Sequence, residues 1–99
     1  MTRVGYHPLA DQELSAAALF YHRQALGLGG EFLDEVEHAE QFLVAFPLAG
    51  RPLRGAIRRL ALRRFPYDLI YEVQADQLWV LAVAHQRRKP GYWVTRQHG

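Results

Sequence analysis

The residues best suited to chemistry cluster near the end of the chain. His85 is followed by Arg87, Arg88 and Lys89, and then, past Pro90-Gly91, by Tyr92 and Trp93. A second basic pair, Arg63-Arg64, closes a strand-like run. Histidine and tyrosine exchange protons, and arginines hold phosphate charge. Cleavage of RNA by its own 2′-hydroxyl needs a base, an acid and a stabiliser of the charged phosphorane. For that chemistry the candidates are His85, Arg87 and Tyr92. The same types also suit binding without catalysis. Guanidinium groups pair with phosphate or carboxylate, and adjacent aromatic rings stack on bases or fill protein interfaces. On that reading the contact residues for a partner are Arg63, Arg64, Arg87, Arg88, Lys89, Tyr92 and Trp93.

Each of these residues also has a plainer role open to it. A histidine at a strand end commonly bonds to backbone. Arg63 and Arg64, if both lie in a strand, point to opposite faces, and one of them can pair with an acid of the second helix. Tyr92 and Trp93 can fold back over the core edge. Tyr67 and Tyr71 share a strand face and read as core. His7, His22 and His38 lack metal-ligand spacing, and there is no cysteine, so neither a metal nor another cofactor is expected.

These side chains must be held by a small protein. The chain has 99 residues, 49% apolar and 22% charged, which predicts one globular domain over residues 1–99. No apolar run approaches the roughly 20 residues needed to span a bilayer. No secretory signal opens the chain. The expectation is a cytoplasmic protein with no membrane partner. The net charge of +2 hides an asymmetry. Residues 1–50 hold two basic and seven acidic residues, whereas residues 51–99 hold ten basic and three acidic ones. The second half therefore suits nucleic acid, an acidic protein surface or an acidic peptide.

Periodicity supplies the elements. Arg3–His7 reads as a first strand. Pro8 suits the first position of a helix reaching Leu26, with Asp11 and Glu13 favoured by the dipole in its first turn. Leu14, Ala18, Tyr21, Ala25 and Leu28 form its apolar stripe. Gly27 is the expected left-handed terminus. A second helix, about Gly30 to Phe46, carries Phe32, Val36, Ala39, Leu43 and Phe46 on one side and five acids on the other. Pro47–Gly55, with two prolines and two glycines, predicts irregular chain. Three strands follow: Ile57–Arg64 with Leu60 and Leu62 on one face, Tyr67–Gln74, and the wholly apolar Leu78–Ala84, suited to a central position covered on both faces. The tail, Gln86–Gly99, is expected along the surface. The order β-α-α-β-β-β predicts an α+β fold: an antiparallel two-helix hairpin on one face of a small, mainly antiparallel sheet.

Five segments, in order, resemble one family. They are His7–Leu14 at the start of the first helix, Gly29–Glu37 opening the second, the loop Phe46–Leu53, the run Arg63–Tyr71 across two strands, and Ala82–Trp93. Together they resemble the ParE/RelE toxins of type II toxin–antitoxin systems, from Tyr6 to Trp93. The resemblance implies a toxin encoded beside an antitoxin that wraps and blocks it, in a toxin–antitoxin hetero-oligomer; many relatives are plasmid-stabilisation proteins. ParE-type members poison DNA gyrase; RelE-type members enter the ribosome and cleave mRNA without metal. The long hairpin with its Gly-Leu-Gly-Gly turn, and a chain with a single lysine, look more like ParE. The expectation is therefore a gyrase inhibitor. The alternatives are a ribosome-dependent mRNA endonuclease and a non-toxic antitoxin-binding relative.

Overall fold

Pro8 opens the first helix, as the sequence predicts. The computed structural model describes residues 2–98, so Gly99 of the predicted tail lies outside it. In it β1 (Arg3–Tyr6) leads directly into α1 (Pro8–Gln24). His7 stands between them, and its Nδ1 accepts the Leu9 amide at 3.1 Å. One helix-end donor is thereby satisfied. α2 (Leu28–Ala45) follows after a short turn. Gly27 has the expected positive φ, 78°, but it caps the start of α2. α1 ends at Gln24, with extended Ala25 behind it, and not at Leu26.

Four more strands complete the chain: β2 (Arg51–Arg54), β3 (Ile57–Ala61), β4 (Tyr67–Val73) and β5 (Gln77–His85). The sheet order is β1-β5-β4-β3-β2. Only the β1–β5 pair is parallel; the others are antiparallel. The predicted α+β architecture holds, with one strand added. β2 lies inside the stretch expected to be irregular. Proline is tolerated there because β2 is an edge strand, and its register slips between Pro52 and Arg54. The loop before it is anchored to the core. Gly50 N–H donates to the Tyr71 hydroxyl at 3.0 Å, and that hydroxyl donates to Pro47 O at 2.8 Å. A Cβ on Gly50 would sit 2.5 Å from the same oxygen, so the approach requires glycine.

The sheet divides the core in two. Under the helices, Phe32, Val36 and Leu43 of α2 and Ala17 of α1 meet Leu69, Tyr71, Leu78, Val80 and Val83. On the other face Ile57, Ile70, Leu81, Ala82 and Ala84 pack beneath Trp93. β5 is thus covered on both faces, as its apolar sequence predicts. Strict alternation fails once along it. Ile70 faces Ala82 while Tyr71 faces Val80, so Leu81 is an extra residue in the ladder. This bulge sends both Leu81 and Ala82 to the outer cluster. The tail does not simply run along the surface: Trp93 is buried at 6% exposure and Val94–His98 forms a short 3₁₀ turn. Among the described residues, no helix is long and apolar enough to cross a membrane.

β1 is tied to α2 by the Tyr6 hydroxyl, which donates to the Glu40 carboxylate. Burial, with help from the Glu37 charge, raises the Glu40 carboxyl above its ordinary value; the Tyr6 bond opposes the rise without cancelling it. A carboxyl raised on folding contributes stability below its unfolded value of about 4.3, and that contribution is lost as pH rises through the folded value. Glu40→Gln keeps an acceptor for Tyr6 and cannot ionise. Its melting temperature should gain on the wild type as pH is raised from about 4 to about 7. A difference that stays constant with pH would contradict this origin.

Candidate functional site

The buried strand β5 has a problem at one edge. β1 pairs with β5 only as far as Tyr6 opposite Val80, and His7 N–H closes the ladder on Val80 O at 2.8 Å. Beyond that point Leu81 O and Val83 N–H of a buried strand face no further strand. An unpaired buried backbone group costs about 1–3 kcal/mol. Two side chains take the place of the missing strand. Val83 N–H donates to Glu13 Oε1 at 3.1 Å, and Arg96 donates to Leu81 O at 3.0 Å. The two side chains also pair with each other through two bonds, of 2.8 and 3.0 Å.

This carboxylate organises the chain end. The Tyr92 hydroxyl donates to Glu13 Oε2 at 2.8 Å, and Arg88 approaches the same oxygen at 3.7 Å. The Arg88 guanidinium lies 3.9 Å above the centre of the Tyr92 ring, a cation–π contact. Burial first, then the bond to Glu13 and its charge, push the Tyr92 phenol up to about 12, against the opposing charges of Arg96 and Arg88. The Arg96 guanidinium is raised as well, chiefly by its bond to Glu13.

The sequence-predicted residues are not gathered into one centre. His85 lies opposite Tyr67, and the two rings meet edge-on at 5.1 Å, beside the aromatic cluster of Tyr21, Phe32 and Phe65. Its Nδ1 accepts Arg87 N–H at 3.1 Å. This is the strand-end backbone bond that was the plainer reading. Tyr92 packs with the outer cluster, on the opposite face of the sheet, with its hydroxyl committed to Glu13. Arg87 and Lys89 are exposed and form no ion pair among the described residues. Trp93 is core.

Arg63 and Arg64 lie elsewhere. β3 stops at Ala61, so strand alternation does not separate them. Both backbone N–H groups donate to Glu35 Oε2, at 2.7 and 3.1 Å, and the Arg64 guanidinium pairs with Glu31 at 2.8 Å. They rim a groove of about 630 Å³ between α2 and β3, lined also by Asp34, His38, Ala39, Phe42, Leu60 and Leu62. Glu13 and Arg96 escape sequence reasoning. Glu13 looks like an ordinary first-turn acid, and no local signal links it to an arginine 83 positions away.

The family model for the ParE toxin of type II toxin–antitoxin systems, parDE, matches residues 4–90. The chain belongs to the ParE toxin family. It is thus the toxin component of a type II toxin–antitoxin system. Among solved structures, the chromosomal ParDE toxin–antitoxin system from P. aeruginosa is similar at 23% identity, with a TM-score of 0.67 over 86% of this chain and 96% of that one. At that identity the likeness speaks to the fold. No curated protein matches. The span matched by the ParE model includes Glu13, the groove and Arg87–Lys89, whereas Tyr92, Trp93 and Arg96 lie beyond it.

Replacing Glu13 by glutamine leaves Arg96 without its countercharge. The expected cost is about 2–3 kcal/mol of stability, seen as a lower melting temperature. The phenol of Tyr92 should then titrate nearer the ordinary value of about 10. In the wild type the raised phenol contributes stability that is lost as pH rises from about 10 through about 12. Ultraviolet titration of tyrosinate in the two proteins checks this; identical curves would detach Tyr92 from Glu13.

Proposed function

We propose that this ParE toxin acts in the bacterial cytoplasm by inhibiting DNA gyrase, and that a cognate antitoxin neutralises it. The observation that carries the reading is the separation of the proton-transfer candidates. His85 is engaged with Tyr67 and the Arg87 amide, and Tyr92 is bonded to Glu13 on the opposite face. A nuclease needs its acid and base within reach of one phosphate. A protein that binds and blocks needs an exposed, fixed surface, and the Arg87–Lys89 segment beside Tyr92 offers one. Arg87, Arg88 and Lys89 are the proposed target contacts, with Tyr92 and Trp93 holding them in place.

For the antitoxin, the groove between α2 and β3 is the proposed seat. Its walls combine apolar Ala39, Phe42, Leu60 and Leu62 with charges of both signs. That mixture suits an amphipathic segment, either a helix in the groove or a strand added to β3 where β2 no longer covers it. Arg63 and Arg64 then face the antitoxin, giving a hetero-oligomer.

Expression of the chain alone in a bacterial culture should raise DNA-damage signalling and filamentation early, while bulk translation continues. Immediate translation arrest with transcript cleavage would make the ribosome the target. Unimpaired growth would make the chain a non-toxic antitoxin-binding relative. Arg87→Ala with Arg88→Ala should abolish growth inhibition. His85→Gln should change it less than about threefold, whereas loss of a general acid or base costs about 10²–10⁴-fold. In a copurified toxin–antitoxin complex, amide exchange should slow in α2 and β3. Protection confined to the C-terminal segment would move the antitoxin off the groove.

A further inference from the structure

A second basic surface lies away from both the groove and the tail. β2 and β3 place Arg51, Arg54 and Arg59 within nine residues of chain. Arg51 stands directly opposite Arg59 in the ladder, and Arg59 stands opposite Ile70. Ile70 belongs to the outer cluster, so Arg51 and Arg59 share the sheet face turned away from the helices. Like charges directly opposite each other are destabilising. The protein neutralises only one of the two: Arg59 lies 3.7 Å from Asp68. Arg51 and Arg54 are exposed and make no ion pair among the described residues. Arg58, opposite Tyr71 of the inner cluster, lies on the helix side of the sheet, where it donates to Leu48 O and Gly50 O. The other acid on the outer face is Glu72, opposite Ile57 and hydrogen-bonded by Gln74.

We propose that this face is a nucleic-acid surface that takes the phosphate backbone of duplex DNA. Protein interfaces are anchored by buried aromatic and apolar groups and are depleted of charge at their centre. Here the large exposed apolar side chains lie on the helices, in the turn between them and in the loop before β2; within the sheet only Leu53 is among them. Rows of cations without apolar anchors suit phosphate. The acids of α2 (Glu31, Asp34, Glu35, Glu37 and Glu40) lie on the far side of the sheet and orient the molecule against the same field. Duplex DNA is preferred over RNA because the inference rests on the gyrase reading, in which the target holds DNA.

Fluorescence anisotropy of the purified full chain with a labelled duplex of about 20 base pairs tests this, titrated in salt from about 50 to about 200 mM. The wild type should bind with a dissociation constant of about 10⁻⁴–10⁻⁶ M and a steep salt dependence. Arg51→Ala with Arg54→Ala should bind about tenfold more weakly and lower the log–log slope by about 1.8, at an unchanged melting temperature. Absence of binding at the lowest salt, or an unchanged slope in the variant, would overturn the proposal. So would loss of gyrase capture by that variant without DNA, since the surface would then face protein. Gyrase-dependent plasmid cleavage by a toxin with no DNA affinity would sink this inference and leave the gyrase reading standing. DNA affinity together with translation arrest would do the reverse.

Discussion

The free edge of β5 is the constraint on which much of the structure depends. β5 is the most buried strand, and its parallel neighbour covers only its first part. The remaining backbone groups on that edge cannot be left dry and unpaired. Water is one solution and another strand is a second. The chain uses an ion pair whose two members each take one backbone group, Glu13 the Val83 N–H and Arg96 the Leu81 O. An ion pair of this kind is sound because every partner is satisfied. The carboxylate accepts from a backbone amide, a phenol and a guanidinium, and no buried side-chain polar atom among the described residues is left alone.

The rest of the chain end follows from that arrangement. Arg96 reaches the strand only if the segment before it crosses the outer face of the sheet, and Trp93 fills that face as it crosses. The bulge at Leu81 cooperates, because it turns two successive side chains, Leu81 and Ala82, toward Trp93. Tyr92 falls beside the carboxylate, and Arg88 stacks on Tyr92. Arg87 and Lys89 are left facing solvent, next to a rigid base. A surface that must recognise a partner benefits from such preorganisation, since less conformational entropy is lost on binding.

Charge is sorted by the same architecture. The acidic stripe of α2 and the outer-face arginines Arg51 and Arg59 lie on opposite sides of the sheet. At the corner after β3, Glu31 and Glu35 hold Arg64 and the backbone of residues 63 and 64. For a ParE toxin this gives two differently charged faces on one small protein.

The sequence alone determined the hairpin, the burial of Leu78–Ala84 on both faces and the mainly antiparallel sheet. These follow from local periodicity and turn residues, which act over a few positions and are written directly in the chain. It also located the basic segment Arg87–Lys89 and, through the ordered motifs, the family. It did not reveal β2, because an edge strand needs no apolar pattern and tolerates Pro52. Nor could it show that Arg63 and Arg64 lie past the end of a strand. Above all, only the tertiary structure decided the roles of Glu13, Arg96, His85 and Tyr92. Those roles depend on which backbone groups of β5 remain unpaired once β1 has ended, and that is a property of strand pairing across the whole chain.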